Sequence, residues 1–233
     1  MAATLSIAAG ATYAIDNDSG VARGAAAASS IKNDGLFIKL GGTGISVIGV
    51  QVADAGAIKA ASGALDFTRA INGGGTMAVD TGATLEVDAS AAASLDMTFN
   101  GLGATLALGA PANFAATIHA FNPGDVVDLL GIEATAASLE AGNTRVITNG
   151  SKAVATLQLA GNHANDVFSL GSDGKGGTNI TIAAPSPVQG PGPRFIAAMA
   201  GLADSRGPVS IGSEPCSDTW RPTLSAPRSA HFA

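Results

Sequence analysis

Residues 56–67 read GAIKAASGALDF, and residues 75–87 repeat the same pattern as GTMAVDTGATLEV. Each copy has a glycine, two apolar residues two positions apart, a turn with a second glycine, and two more apolar residues two positions apart. Apolar residues at every second position are typical of a strand with one buried face. A strand pattern that recurs at a fixed period predicts a stack of similar units.

The repeat continues on both sides of this stretch. A step of 19 to 21 residues separates equivalent apolar positions, which are Ile58, Met77 and Met97 in one series and Leu65, Leu85 and Leu106 in the other. Two or three short strands in each step return the chain to its starting point one layer up, so like residues stack on like. We therefore expect an all-β parallel β-solenoid, most regular over residues 35–129. An antiparallel sandwich would explain the alternation but not the repeat.

The two ends of the repeat region differ from its middle. Residues 3–15 predict a strand, a glycine turn and a strand, whereas residues 134–141 (ATAASLEA) suit one helical turn or a loop. Residues 144–183 predict closely spaced capping strands, with a hairpin at Asn149-Gly150 and a switch to antiparallel pairing that covers the open end of the stack. The solenoid domain is thus expected to span residues 1–183. Residues 184–233 are predicted to be a Pro-rich linker and flexible tail, in which residues 194–203 suit a brief helix.

Composition excludes several classes of function. The 233 residues carry a net charge of −6, and the Lys and Arg residues are scattered, so we expect no nucleic-acid partner. No apolar run approaches the roughly 20 residues of a membrane-spanning helix. Charged residues make up 13% of the chain, against about 25% in average proteins. Abundant glycine and alanine suit strands that stack closely.

The single cysteine and the N-terminus bear on location. Cys216 has no partner for an intramolecular disulfide. Residues 1–10 are small and apolar, but no positive charge precedes Arg23, so the basic start of a secretory signal peptide is not identified.

The repeats resemble those of a known class of proteins. The segments GALDF (63–67) and GATLEV (82–87) are similar to repeats of bacterial autotransporter passengers and haemagglutinin-like adhesins. The segments FNPGDVVDL (121–129) and SDGKGGTNIT (172–181) resemble the sequences that close such repeat regions. The resemblance covers residues 30–183. It implies a right-handed β-helix located at the cell surface or outside the cell.

Carboxylates on the predicted strands are the first candidates for chemistry. We expect outward positions on successive rungs for five of them: Asp66, Asp80, Glu86, Asp88 and Asp96. Two carboxylates on adjacent rungs would make a glycosidase or lyase pair. No His or Arg accompanies them in the same rungs, so we interpret them as the solvent face of the solenoid and predict no catalytic residues.

Two loops are candidates for calcium. Residues 171–177 (GSDGKGG) resemble one turn of the tandem Gly-Gly-x-Gly-x-Asp calcium repeats, so Asp173 with Asp166 is a candidate cation site, although a plain glycine-rich turn also fits. The acidic segment Asp16-Asn17-Asp18 suits a turn more than an ion. The histidines, His119, His163 and His231, lack the spacing of a metal site. No other cofactor is predicted.

Two functions fit these observations. The first is a non-enzymatic structural or adhesive module of a bacterial surface or secreted protein, whose partner would be a host or cell-surface protein or glycan. The second is a polysaccharide-acting β-helix enzyme or a carbohydrate-binding accessory domain. Sugar sites usually stack sugars on aromatic rings, and Tyr13 and Trp220 are the only Tyr and Trp in the chain, which favours the first.

Overall fold

The protein is nearly all β. The structure, a computed structural model, describes residues 2–24 and 29–183. Strands make up 52% of the structure and helices 3%. In chain order the strands are β1 (Thr4–Ile7), β2 (Thr12–Ile15), β3 (Ser30–Asn33), β4 (Leu36–Lys39), β5 (Ile45–Ile48), β6 (Gln51–Asp54), β7 (Ala57–Ala60), β8 (Ala64–Phe67), β9 (Ile71–Gly73), β10 (Thr76–Asp80), β11 (Thr84–Val87), β12 (Asp96–Asn100), β13 (Thr105–Leu108), β14 (Thr117–His119), β15 (Val126–Leu129), β16 (Ala136–Glu140), β17 (Thr144–Asn149), β18 (Lys152–Leu159), β19 (Phe168–Ser172) and β20 (Thr178–Ile182). Short 3-10 turns lie at Pro111–Asn113 and Ala141–Asn143.

The strands form three sheets that wrap around one core. Sheet A has the order β1-β3-β6-β9, and sheet C the order β19-β20-β15-β13-β11-β8-β5. Sheet B has the order β16-β17-β18-β14-β12-β10-β7-β4-β2. A complete coil passes through A, B and C in turn, as β6, β7 and β8 do. About five such coils stack into a solenoid.

The register of the strands confirms the predicted step. Met77 lies between Ile58 and Met97 in the parallel ladder of sheet B. Leu85 lies between Leu65 and Leu106 in sheet C, again with all strands parallel. Each strand pairs with its equivalent one coil away. Residues that are partners in a ladder are therefore separated in sequence by one repeat. The antiparallel sandwich is therefore excluded.

The core is a set of apolar ladders. Equivalent side chains from successive coils, such as Leu65, Leu85 and Leu106, are completely buried. Close stacking of the coils also restricts the corners. Gly73 has φ +118°, and a Cβ there would lie 1.9 Å from the Asp54 carbonyl oxygen of the preceding coil. Only glycine fits this corner without displacing backbone.

The C-terminal end of the stack is capped, as predicted. β18 pairs parallel with β14, but β17 and β16 continue the sheet antiparallel. β19 and β20 form a hairpin that pairs antiparallel with β15. The predicted hairpin turn joins β17 to β18, with Gly150 at φ +59°. The antiparallel strands cover edges that a further parallel coil would otherwise occupy.

The prediction for residues 134–141 was wrong. Residues 136–140 form β16, which pairs along its whole length with β17. Ala137 and Leu139 are half-buried, while the residues between them are exposed. Alanine, leucine and glutamate favour helix locally, but pairing with the open edge of β17 satisfies the backbone and buries the alternate side chains.

The N-terminal coil has the predicted strand, turn and strand. β1 and β2 pair parallel with β3 and β4, so the solenoid begins at residue 4. Among the described residues of this first coil, no full strand joins sheet C. Val21 takes that place, because its amide donates to the Val47 carbonyl and its carbonyl accepts from the Gly49 amide.

Several predictions lie outside the described residues. The linker and tail at 184–233, the brief helix at 194–203, and Cys216, Trp220 and His231 all fall there. Within residues 2–24 and 29–183, no helix has the length and apolar character needed to cross a membrane.

Candidate functional site

The outer face of sheet C brings three predicted carboxylates together. Asp66 on β8 lies directly opposite Glu86 on β11 in the parallel ladder. Asp88 follows β11 and, two residues beyond Glu86, projects from the same face. One carboxylate oxygen of each residue lies within 4.8 Å of the other two. We call Asp66, Glu86 and Asp88 the acidic cluster.

Asp66 does not lie on a solvent face, contrary to the sequence-based prediction. Asp66 is only 8% exposed, and its Oδ1 is buried with no hydrogen-bond partner among the described residues. In the ladder it is flanked by Val47 on one side and Glu86 on the other. Alternation correctly predicted that Asp66 points outward, but it carries no information on how closely neighbouring strands shield an outward side chain.

Burial and mutual repulsion raise the pKa values of two residues of the acidic cluster. Burial, followed by the negative charge of Asp88, raises the pKa of Asp66 to about 6. Burial, followed by the charges of Asp66 and Asp88, raises the pKa of Glu86 to about 7. Two carboxyl groups with raised pKa values therefore lie beside a third acidic side chain on one outer face.

The remaining predicted carboxylates, on sheet B, each have a partner. Lys59 Nζ lies 2.9 Å from Asp80 Oδ2, and Asn100 Nδ2 donates to Asp80 Oδ1 at 2.7 Å. His119 Nε2 lies 3.0 Å from Asp96 Oδ1. His119 alternates with the fully buried Ile118, so it lies on the outer face as predicted. The five carboxylates thus divide into a cluster of three on sheet C and two paired residues on sheet B.

The two calcium candidates of the C-terminal region have different surroundings. Asp166 Oδ2 lies 2.7 Å from His163 Nδ1, and His163 Nε2 lies 2.9 Å from the Ala160 carbonyl oxygen, which holds the buried imidazole in a turn. Asp173 Oδ1 accepts hydrogen bonds from the amides of Lys175 and Gly177, at 2.6 and 2.8 Å.

Asp173 lies close to Asp128, the next acidic residue on the outer face of sheet C. The amide of Lys175, ahead of that of Gly177, holds the pKa of Asp173 below its ordinary value. Burial, followed by the charge of Asp173, raises the pKa of Asp128. Asp128 Oδ1 and Asp173 Oδ2 are both buried without a hydrogen-bond partner in the described part. The hypothesis that Asp166 and Asp173 hold calcium stays a prediction.

The N-terminal acidic turn binds a cation of the chain itself. Lys39 is fully buried at a core-facing position of β4, between Ile15 and Ala60 in the ladder. Its ammonium group donates to the Asn17 carbonyl at 2.8 Å, and to Asp18 Oδ1 and the Gly41 carbonyl at 2.9 Å each. The preference for a turn over an ion at residues 16–18 agrees with this arrangement, but the role of Lys39 was missed.

A further polar surface lies beside sheet A. A cavity of about 380 Å³ is lined by Arg23, Ser29, Ser30, Gly49, Val50, Gln51 and Arg69. Two guanidinium groups and several neutral hydrogen-bonding groups suit an acidic or heavily hydroxylated ligand. The sequence gives little signal for this site, because its arginines lie 46 residues apart and meet only through the coiling of the chain.

One face of the Tyr13 ring is occupied within the solenoid. Its ring stacks on Phe37 of the next coil, with ring centroids 5.3 Å apart and planes inclined by 10°. The ring therefore extends the core ladder to the first coil.

No protein-family model matches this chain, and no curated protein is significantly similar to it.

Proposed function

We propose that this chain is a non-enzymatic structural or adhesive module of a bacterial surface or secreted protein. The continuous, in-register stack of coils carries the proposal. Parallel pairing from β1 to β15 gives a regular body in which each inner coil is held by both of its neighbours. Such a body displays side chains at fixed spacing along three faces, which suits a spacer or an adhesive surface.

The polar groups inside the coils support a structural role. Asn33 bonds to Asp54 one coil away, and Lys39 bonds to the preceding turn. Asp125 accepts hydrogen bonds from the amides of Ala104 and Asn122. These buried polar side chains bind the chain's own backbone and side chains, so they contribute to holding coils and turns in place.

The arginine-lined cavity beside sheet A is the surface on which we expect an acidic glycan or surface protein to bind. The direct experiment measures binding of the purified protein to immobilised glycans, including carboxylated and sulfated ones, and to host cells. We expect saturable binding that Arg69→Ala weakens about tenfold or more. Lys152→Ala, an exposed lysine of the β17–β18 hairpin, removes the same charge and leaves binding unchanged.

Location is tested separately. Antibodies against the folded domain are expected to label intact cells that produce the protein, and protease added outside the cells is expected to remove the label. Labelling only after the cells are made permeable would contradict the surface location. Failure of all binding with correct surface labelling would leave a spacer role and contradict the adhesive one.

A polysaccharide-acting enzyme is the second candidate, and the acidic cluster favours it. Glycoside hydrolysis needs a protonated carboxyl group beside an ionised one, and a raised pKa suits the acid. On this hypothesis Glu86, whose pKa is raised to about 7, is the acid, and Asp66 or Asp88 is the partner.

A further inference from the structure

The acidic cluster differs from Asp80 and Asp96, the carboxylates of sheet B, in having no cationic partner. Within the described ranges, the ion pairs of Lys and His residues involve Asp18, Asp34, Asp80, Asp96 and Asp166, and none involves the acidic cluster. Asp80, one strand away from Glu86 along the chain, has both Lys59 and Asn100 as partners. Three neighbouring acidic groups repel one another when they are ionised, unless a bound cation supplies the compensating positive charge.

A second observation is independent of the clustering. Asp66 is more than nine-tenths buried, and its Oδ1 has no hydrogen-bond partner in the described part of the chain. A buried, unpartnered carboxylate oxygen costs free energy because it has lost water and gained nothing. The same side chain contributes an oxygen to the group of three within 4.8 Å. A buried side chain without a hydrogen-bond partner for its Oδ1 therefore contributes to the place where the three carboxylates converge.

We propose that Asp66, Glu86 and Asp88 bind a hard divalent cation on the outer face of sheet C, and we take Ca²⁺ as the ion that tests the site. Three oxygen donors within 4.8 Å of one another match a single ion, because Ca²⁺–oxygen distances are about 2.3–2.6 Å. The donors are all carboxylate oxygens, which suit a hard cation and give no preference to zinc or copper.

The neighbouring coil accommodates this arrangement. Gly109 lies beside Asp88 one coil away, and a Cβ there would be 2.5 Å from Asp88 Oδ1. Ala107, opposite Glu86 in the ladder, presents only a methyl group. Small residues at both positions leave space for the carboxylates, and water completes the coordination shell of the ion. The bound ion would neutralise the repulsion between coils and link β8 to the end of β11.

This proposal does not depend on the proposed function, since a spacer, an adhesin or an enzyme would each be stabilised by such a link.

Titration calorimetry with CaCl₂ at pH 7.5 on chelator-treated protein tests the proposal. We expect one ion per chain at this site, with a dissociation constant on the order of 10⁻⁴–10⁻³ M, as in extracellular calcium modules. The double variant Asp66→Asn/Glu86→Gln is expected to lose this binding. Asp80→Asn, which removes an outward carboxylate that has its own partners, is expected to retain it.

Two further measurements keep the outcome decisive. Calcium is expected to raise the melting temperature of the wild type and of Asp80→Asn, and to leave the double variant unchanged. Circular dichroism verifies that the double variant is folded, and Asp88→Asn provides a single-site alternative if it is not. The proposal would be overturned if the wild type bound no calcium up to about 10 mM, which is about tenfold above the expected dissociation constant. Binding that survives in the double variant and is lost in Asp173→Asn would also overturn it, by assigning the ion to the loop at 171–177.

Discussion

Asn33 Nδ2 donates a hydrogen bond to Asp54 Oδ1 across 2.6 Å in the interior of the solenoid, between two residues that are equivalent in successive coils. Both side chains are almost completely buried. Asn33 Nδ2 also donates to the Ala57 carbonyl, at 2.9 Å. The pair occupies the corner between sheets A and B, where the next coil has Gly73. The polar ladder is therefore two residues long, and one oxygen of it, Asp54 Oδ2, remains without a partner in the described part.

Asp54 makes the stability of the protein depend on pH. Burial, opposed by the hydrogen bond from Asn33, raises its pKa from 3.8 to about 6. The folded chain thus holds this proton more tightly than the unfolded chain. The protonated Asp54 therefore contributes its full share to the free energy of unfolding below pH 3.8. This contribution falls as the pH rises to about 6 and is lost above that pH.

Asp54→Asn is expected to remove this loss, because an amide does not ionise and still accepts from Asn33. The variant should match the wild type at about pH 4 and exceed its free energy of unfolding by about 1–2 kcal/mol at pH 8, after allowance for solvent screening. Urea unfolding at the two pH values measures the difference. Asp16→Asn, at an exposed position, is the control. An effect of the same size at both pH values would contradict the assignment.

Lys39 is expected to stabilise the first coils through its three hydrogen bonds. Lys39→Met keeps the apolar stem but removes the ammonium donor from the Asn17 and Gly41 carbonyls and from Asp18. We expect a loss of about 2–3 kcal/mol. Lys59→Met, which removes a half-exposed ion pair with Asp80 on the adjacent strand, should cost less than about 1 kcal/mol. Equal losses in the two variants would show that burial of the Lys39 ammonium group is not what stabilises this region.

Gly73 and Gly82 separate two costs of replacing glycine. Both have positive φ, +118° and +71°, but only Gly73 has backbone of the preceding coil in the place of a Cβ. Gly82→Ala is expected to cost about 1–2 kcal/mol, the conformational cost alone. Gly73→Ala must also displace the backbone of Asp54 in the preceding coil. We therefore expect a loss of at least about 4 kcal/mol or failure to fold. Thermal unfolding of both variants measures this, and similar melting temperatures would contradict it.

The solenoid was predictable from sequence because residues that pair in its ladders lie one sequence repeat apart. Ile58, Met77 and Met97 stack on one another for the same reason that they recur at a constant step. The antiparallel cap was also predictable, since Asn149-Gly150 specifies a hairpin and not another coil. The strand at residues 136–140 was not predictable from its own sequence, because it forms by pairing with the edge of β17. Most of its residues pair with residues that lie eight or more positions later in the chain.

The candidate site was predictable only in part. Alternation placed Asp66, Glu86 and Asp88 on one face, but it did not predict that Asp66 is shielded between Val47 and Glu86. Lys39 was missed because its strand, LFIK, has apolar residues on both faces, so alternation does not identify the inward side. In both cases the deciding factor is the packing of neighbouring coils, which a single strand does not encode.

We propose that this solenoid acts through its shape and surface and not through a reaction. The decisive test is incubation of the protein with a panel of bacterial, plant and animal polysaccharides, followed by quantification of new reducing ends and unsaturated ends. We predict that product formation stays at the level of heat-inactivated protein, with and without calcium. Release of oligosaccharides by the wild type that is lost in Glu86→Gln and retained in Asp80→Asn would contradict the claim and establish the acidic cluster as a catalytic site.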